Sequence, residues 1–248
     1  MYNMENNILL FNTILFCCLI VSFLIYKKAY IKGRLTCNNF ILNSYLYILL
    51  SLLLICNVVI LADKKNGIRF FRQRGSFWIL FFFSLAFLFL TMSLDPRKTV
   101  FKHMSWLAWI ITMGITMYPI YLRSKQSGVF ISSLAVTFAM VATLTGIAFY
   151  KPEMVDLKMG PILLVILLSG ILLKIFTAIF AKKNTANNVA YYTSYIFVVL
   201  FSLFILYDTK KLQVHAKKCV IPDYINESMG IFLDVLNLFS SVSRSRSR

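Results

Sequence analysis

Long apolar runs alternate with short polar gaps along the chain, and this alternation predicts a membrane protein. A run of about 20 apolar residues spans the hydrocarbon core of a bilayer as a helix. The runs are continuous rather than alternating residue by residue, which favours helices over strands because lipid offers unpaired backbone groups no partner. The predicted fold class is therefore all-α, a polytopic membrane helix bundle. The candidate spans lie at 8–26, 40–61, 77–94, 104–122, 128–149, 160–180, 190–207 and 225–242.

Composition supports this interpretation. The chain is 59% hydrophobic and 14% charged, whereas soluble domains average about 45–50% apolar and about 25% charged residues. A net charge of +17 would suggest nucleic acid in a soluble protein. Here the Lys and Arg residues fall in the short gaps between apolar runs, where they meet lipid headgroups. The expected partner is therefore membrane lipid, and no nucleic acid is expected.

Three further features receive structural interpretations. The 8–26 run is expected to remain as an anchor helix, because no basic residue precedes it and no small-x-small cleavage site follows it. Basic residues divide almost evenly between alternate sides, so the orientation of the spans stays open. Lys174 is expected to extend its ammonium to the headgroups, with a substrate role as the alternative. Gly114, Thr116 and Pro119 are expected to permit close helix packing and a kink.

The cysteines form an odd and scattered set at positions 17, 18, 37, 56 and 219. Three of them lie inside apolar runs, where Cys behaves as a small hydrophobic residue. The chain has no C-x-x-C element and no His cluster, so neither a disulfide framework nor a zinc site is indicated.

The last candidate span carries a polar stripe. Its members recur at intervals of three and four residues, which places them on one face of a helix. A helix lying on the membrane surface is the alternative, but such helices carry Lys and Arg along the polar face. This stripe has none before Arg244, so we expect the helix inside the bundle. The stripe consists of Glu227, Gly230, Asp234, Asn237 and Ser241.

Two carboxylates at membrane depth are the candidate functional site. Asp208 ends the 190–207 run, and an antiparallel neighbour would bring it within a turn or two of Asp234. Two carboxylates that close share a proton and titrate as a pair in the mildly acidic to neutral range. Pairing of Asp208 with Lys210 or Lys211 at the helix boundary is the alternative. The acid pair favours a proton-sensitive cation path over a structural clamp.

Three segments resemble a known family. They read FSLFILYD at 201–208, LDVLNLF at 233–239 and GITMYPI at 114–120. On these motifs, and on the order of apolar runs over about four-fifths of the chain, the sequence resembles the transmembrane Bax inhibitor motif family. The abundant Phe, Ile, Asn, Lys and Tyr also suit an AT-rich genome, as in a viral copy.

The resemblance implies six helices around a semi-polar seventh in a domain at 39–242. An additional helix and basic loop at 1–38 would precede it, and a disordered basic tail at 243–248 would follow it. The resemblance also implies a pH-sensitive calcium leak in the endoplasmic reticulum, Golgi or plasma membrane, and inhibition of apoptosis. The implied proton sensor is Asp208 with Asp234, near which Ca²⁺ passes without a fixed metal site.

In the family a basic residue at the end of the second helix latches this pair. Arg97 and Lys98 fall in about the right place, and Arg97 is favoured because its fork matches a carboxylate.

Other functional classes fit the sequence less well. Aspartyl intramembrane proteases need Gly-x-Gly-Asp around the second acid and a later Pro-Ala-Leu, whereas this chain reads Phe232-Leu233-Asp234. No enzymatic activity or cofactor is therefore expected. A G-protein-coupled receptor is also a poor fit, because this chain lacks the Asp-Arg-Tyr and Asn-Pro-x-x-Tyr elements of that class. A non-conducting protein of the same fold that binds other membrane proteins or alters their traffic remains the alternative.

Overall fold

The computed structural model of the chain describes residues 2–64 and 76–247, and nearly all of them are helical. The predicted all-α fold is confirmed. Residues 65–75, a basic gap between two predicted spans, lie outside the described residues. The α-helices of the described residues are α1 (Tyr2–Ala29), α2 (Phe40–Lys64), α3 (Ser76–Ser93), α4 (Thr99–Gln126), α5 (Phe130–Tyr150), α6 (Gly160–Phe180), α7 (Lys183–Lys217) and α8 (Tyr224–Arg246).

Six of these helices are long and apolar enough to cross a membrane, namely α1, α2, α4, α5, α6 and α7. The apolar part of α3 within the described residues, Trp78–Ser93, is shorter. Among the described helices α8 also falls outside this group, in keeping with its polar stripe. Length and composition therefore give a multi-pass membrane helix bundle.

The chain forms two compact units. The first comprises Met1–Tyr121 and Lys218–Met229, and the second comprises Leu122–Lys217 and Gly230–Arg248.

In the first unit, α1 and α2 are joined by a short hairpin. The strands β1 (Tyr30–Ile31) and β2 (Arg34–Leu35) pair antiparallel. The intervening Lys32 and Gly33 have φ values of 50° and 75°. Positive φ at both central residues is the geometry of a two-residue turn whose twist matches that of the flanking strands. The turn reverses the chain so that α1 packs along α2.

A disulfide joins Cys37 to Cys219 across 182 residues of sequence. The expectation that the cysteines form no disulfide is therefore wrong. The sequence carries no spacing signal for this bond, because its two cysteines are brought together by packing rather than by a local motif. Next to the bridge, the Tyr224 hydroxyl donates to the carbonyl oxygen of Thr36, and the Tyr224 ring lies 5.4 Å from that of Phe40.

Gly114 of α4 lies against α2, as its packing interpretation predicts. A Cβ built on Gly114 would come 2.7 Å from Cβ of Val58, and this neighbour is a stiff side chain. We expect Gly114→Ala to destabilise the fold by about 1–3 kcal/mol, the usual effect of overpacking. Thermal unfolding in detergent measures the change.

Gly146 of α5 is the matched control, because a Cβ there would meet nothing within 4 Å. Gly146→Ala is expected to leave stability unchanged or raise it by up to about 1 kcal/mol through helix propensity. Equal losses in the two variants would show that Gly114 has no packing role.

In the second unit, α6, α7 and α8 share one apolar core. Gly128, with a φ of 68°, follows the end of α4. The Val129 N–H donates to the Ser124 carbonyl oxygen at 3.0 Å, a bond typical of glycine-terminated helices. The rings of Phe130 and Phe239 meet at 6.0 Å, which places α5 against α8. The buried residues of this core are Leu163, Phe197, Leu200, Phe201, Ile205, Leu238 and Val242.

The basic tail departs from expectation. Residues 243–248 were expected to be disordered, but α8 continues through Arg246, while Arg248 lies outside the described residues. The helix continues because each new turn adds backbone hydrogen bonds to a helix that already exists. The Tyr195 hydroxyl also donates to the Ser245 carbonyl at 3.2 Å, which fixes the last turn against α7.

Candidate functional site

Asp208 of α7 and Asp234 of α8 lie together in the second unit. Their carboxyl groups are within hydrogen-bonding reach of each other. The Asp234 side chain is 6% exposed, and Asp208 is half-buried. The antiparallel arrangement that was expected of these two helices therefore brings the two acids to one place.

A glycine makes room for this contact. A Cβ on Gly230 would overlap the carboxylate of Asp208. Gly230 lies one turn before Asp234 on the same helical face. The absence of a side chain at this position of the stripe lets Asp208 lie directly against the backbone of α8.

The acid pair closes one end of the apolar core. Ile205 lies one turn before Asp208, Leu238 lies one turn after Asp234, and both are fully buried. The oxygen Oδ2 of Asp234 has no hydrogen-bond partner among the described residues. A buried carboxylate oxygen without a donor is unfavourable in its charged form. Such a site suits a group that gains a proton or meets a passing cation.

Two carboxylates are too few for a resident calcium site, because Ca²⁺ takes about 6–8 oxygen ligands. Among the residues that the structure describes, no three His, Cys, Asp or Glu side chains gather as metal ligands. Two carboxyl groups in contact are able to share one proton.

Lys210, the first of the two lysines after Asp208, makes its hydrogen bond outside the acid pair. The Lys210 ammonium donates to the Pro152 carbonyl at 2.9 Å, and Gln213 donates to the Ala148 carbonyl at 3.0 Å. These bonds fix the last part of α7 to the end of α5 and to the segment that follows α5. Lys210 is thus engaged with a backbone carbonyl rather than with Asp208, and the alternative pairing of Asp208 with Lys211 stays open.

The rest of the stripe is enclosed. No residue of 222–245 is exposed, which is what an enclosed helix requires and a surface helix does not. Asn237 donates to the Leu233 carbonyl at 2.9 Å, Ser241 is buried, and Glu227 is half-buried in the first unit. Within the stripe, Gly230 and Asp234 are the positions that meet Asp208.

Residues 37–245 match the model of a family described as Inhibitor of apoptosis-promoting Bax1. The chain belongs to this Bax inhibitor-like transmembrane family. The match includes both aspartates and, of the described helices, α2 to α7 and all of α8 except its last residue. The resemblance that the motifs indicated is confirmed, and the protein is an integral multi-pass membrane protein of that family.

The latch residues expected in this Bax inhibitor-like protein lie in the turn between α3 and α4. Arg97 and Lys98 are both exposed, and the Arg97 N–H donates to Oδ1 of Asp95 at 2.8 Å. Both belong to the first unit, whereas Asp208 and Asp234 belong to the second. Their latch role stays a prediction.

A second charged pair escaped the sequence reasoning. The Lys102 ammonium lies 2.5 Å from Oδ2 of Asp223, and the Lys102 side chain is 2% exposed. Lys102 also donates to the Leu94 carbonyl at 2.9 Å, while Oδ1 of Asp223 accepts from the Asn226 N–H at 3.2 Å. Asp223 thus caps the start of α8. An acid just before a helix start was the available signal for the cap. Lys102, by contrast, resembled the other basic residues in the short segments between apolar runs.

Proposed function

We propose that this Bax inhibitor-like protein is a pH-sensitive calcium leak channel in which Asp208 and Asp234 sense protons. The contact between the two carboxyl groups is the observation that carries the proposal. Asp234 is almost wholly buried, and one of its oxygens has no partner among the described residues. Two acids in these surroundings change charge together when a proton binds.

The proposed gate is the bond between the two acids. A shared proton joins α7 to α8 through a hydrogen bond. Loss of that proton leaves two negative charges side by side, where repulsion is strong because the surroundings are poorly solvated. The charged pair then attracts a divalent cation and releases the helices. Ca²⁺ is the permeant ion in this proposal, and the protein needs neither a cofactor nor an enzymatic step.

The Arg97 latch would give closure of the path the opposite dependence on pH. A guanidinium binds an ionised carboxylate, so a latch of this kind closes the path at higher pH. The shared proton closes it at lower pH. The direction in which calcium flux changes with pH therefore reports which contact controls the closed state, and Arg97→Gln should raise flux at high pH only if the latch operates.

Reconstitution tests the proposal. Purified protein in liposomes with an entrapped calcium dye is expected to release calcium at a rate that depends on pH, above protein-free liposomes. Absence of flux at every pH would overturn the channel proposal. That result would favour a non-conducting protein of the same fold that binds other membrane proteins or alters their traffic.

The proposed location is the endoplasmic reticulum, Golgi or plasma membrane, or the same host membranes if the chain is viral. Disulfides persist in oxidising compartments, so the Cys37–Cys219 bridge supports a lumenal or extracellular position for these two cysteines. A leak in such a membrane lowers stored calcium, which is the proposed route to inhibition of apoptosis.

A further inference from the structure

The Cys37–Cys219 bridge joins two short irregular segments rather than two helices. Cys37 lies between β2 and α2, and Cys219 lies between α7 and α8. Irregular backbone is able to move when a cross-link is broken, because its displacement interrupts no continuous series of helical hydrogen bonds. Opening of this bridge therefore does not require a helix to unfold.

The segment around Cys219 is accessible. Cys219 itself is half-buried, and both of its neighbours in the chain, Lys218 and Val220, are exposed. Val220 is 87% exposed and Ile221 is 46% exposed. Thiol–disulfide exchange requires that a thiolate reach one sulfur of the bond. The open surroundings of Cys219 provide this access.

The two sides of the bridge differ in their surroundings. Thr36, which precedes Cys37, is half-buried, and its carbonyl accepts the hydrogen bond from Tyr224. Cys219 instead follows the exposed cation Lys218, and positive charge next to a cysteine stabilises its thiolate. Cys219 is therefore the sulfur more open to attack, and its thiolate is suited to re-form the bond.

The fold next to the bridge does not depend on the sulfur–sulfur bond alone. The Lys102 ammonium lies 2.5 Å from Oδ2 of Asp223, and the ring of Tyr224 stacks 6.3 Å from that of Tyr47. The Tyr47 hydroxyl in turn lies 2.7 Å from Nε2 of His103. These contacts hold the start of α8 to α2 and α4 when the bond is open. The reduced protein is therefore expected to stay folded, as a reversible modification requires.

We propose that Cys37–Cys219 undergoes reversible thiol–disulfide exchange with a dithiol oxidoreductase that docks on the exposed segment 218–221. A thiolate of the partner attacks Sγ of Cys219, the sulfur–sulfur bond breaks, and Cys37 leaves as a thiolate that takes up a proton. The second thiol of the partner loses its proton, attacks the mixed disulfide and releases Cys219, which is protonated. Two electrons and two protons pass to the bridge, and the two thiols of the partner become a disulfide.

The segment indicates the kind of partner. Neighbouring exposed apolar side chains mark a surface for a protein or a membrane, and Val220 and Ile221 directly follow Cys219. The adjacent disulfide favours a protein, because lipid offers it no thiol. Oxidoreductases of the protein disulfide isomerase type work in the oxidising compartments where disulfides persist. The proposal does not rest on calcium conduction, because the bridge belongs to the first unit and the acid pair to the second.

A trapping experiment tests the exchange. Full-length protein in detergent is mixed with reduced protein disulfide isomerase in which Ser replaces the second cysteine of each active site, so that a mixed disulfide is not resolved. We expect a covalent adduct on a non-reducing gel, and peptide mapping should place it on Cys219. Cys56→Ser should give the same adduct, since Cys56 is a free thiol. Cys37→Ser should lose it, because a free Cys219 thiol does not react with another thiol.

Val220→Ser tests the docking segment. It should slow adduct formation about tenfold, the factor expected from burial of one side chain of this size. Val100→Ser is the matched control, since Val100 is a 67% exposed valine of the same unit, and it should leave the rate unchanged. Equal rates for the two variants would overturn the docking surface and would assign Val220 to contact with lipid instead.

Three results would overturn the exchange itself. An adduct on Cys37 would show that the wrong sulfur was assigned. An adduct that forms only after unfolding in denaturant, or not at all, would make the bridge an inaccessible structural bond. A reduced protein that no longer unfolds cooperatively would show that the change is not reversible. Reoxidation by oxidised protein disulfide isomerase is expected instead to restore the original melting temperature.

Discussion

Replacing Asp234 with Asn is expected to flatten the dependence of calcium flux on pH. Asn has nearly the shape of a protonated Asp, so the contact with Asp208 is kept, but the pair can no longer exchange a proton. A coupling of one pKa unit is worth about 1.4 kcal/mol, or about a tenfold change in the ratio of two channel states. We therefore expect Asp234→Asn to remove about a tenfold change of flux with pH. Calcium efflux from liposomes across a pH series measures this loss.

Two further variants complete this experiment, one at the partner Asp208 and one at the distant acid Glu153. Asp208→Asn should have the same effect, and the double variant should add little, because residues that act as one pair are not additive. Glu153→Gln serves as the control, since Glu153 is an exposed acid of the same unit. If Asp234→Asn keeps the original pH profile while Glu153→Gln changes it, the sensor lies elsewhere.

The position of Gly230 gives an independent way to disturb the same contact. Since a Cβ there would overlap the Asp208 carboxylate, an alanine must displace that carboxylate without changing any charge, and we expect the displacement to separate the two acids. Separation weakens their coupling, and each acid then titrates more nearly as an isolated group. The pair, rather than either aspartate alone, is therefore the element that would set the pH response.

Helix positions followed from hydropathy where membrane span and helix coincide. The apolar run at 160–180 matches α6, because the Gly160–Pro161 start and the apolar run begin together. The run at 190–207 covers only the middle of α7, which extends over Lys183–Lys217. Hydropathy ends where the side chains become polar, whereas the backbone bonds of a helix continue through Lys, Gln and Thr. Apolar runs therefore mark spans better than helix ends.

The two aspartates could be paired from sequence because adjacent antiparallel helices leave few alternatives. The helical spacing of the stripe defined one face of α8. Asp208, at the end of the preceding span, defined the level along α8 at which its partner was expected. Lys102 and Asp223 lie 121 residues apart, with no intervening pattern that aligns them. Long-range contacts of this kind arise from packing of the whole unit, which local periodicity does not encode.

The disulfide secures the segment that leads into α8. Cys219 lies four residues before Asp223, which caps α8 and pairs with the buried Lys102. On the other side of the bridge, Thr36 precedes Cys37 and accepts a hydrogen bond from Tyr224. One covalent bond, one ion pair and one hydrogen bond thus fix the start of the helix that carries Asp234. Of these, the covalent bond also restricts the unfolded chain.

Removal of this bridge by Cys37→Ser is expected to destabilise the protein by about 2–4 kcal/mol. The bond closes a loop of 182 residues, and the stabilisation of a disulfide rises with loop length because the unfolded chain loses more freedom. Thermal unfolding in detergent should show a lower melting temperature. The oxidised protein should also run faster than the variant on a non-reducing gel.

Cys56→Ser is the matched control, because Cys56 is an exposed free thiol. It should keep both the melting temperature and the gel mobility of the unaltered protein. A reducing agent should lower the stability of the unaltered protein and of Cys56→Ser to that of Cys37→Ser, and should leave Cys37→Ser unchanged. If the reducing agent has no effect on the unaltered protein, the two cysteines are not bonded in the membrane, and their lumenal or extracellular assignment fails with the bond.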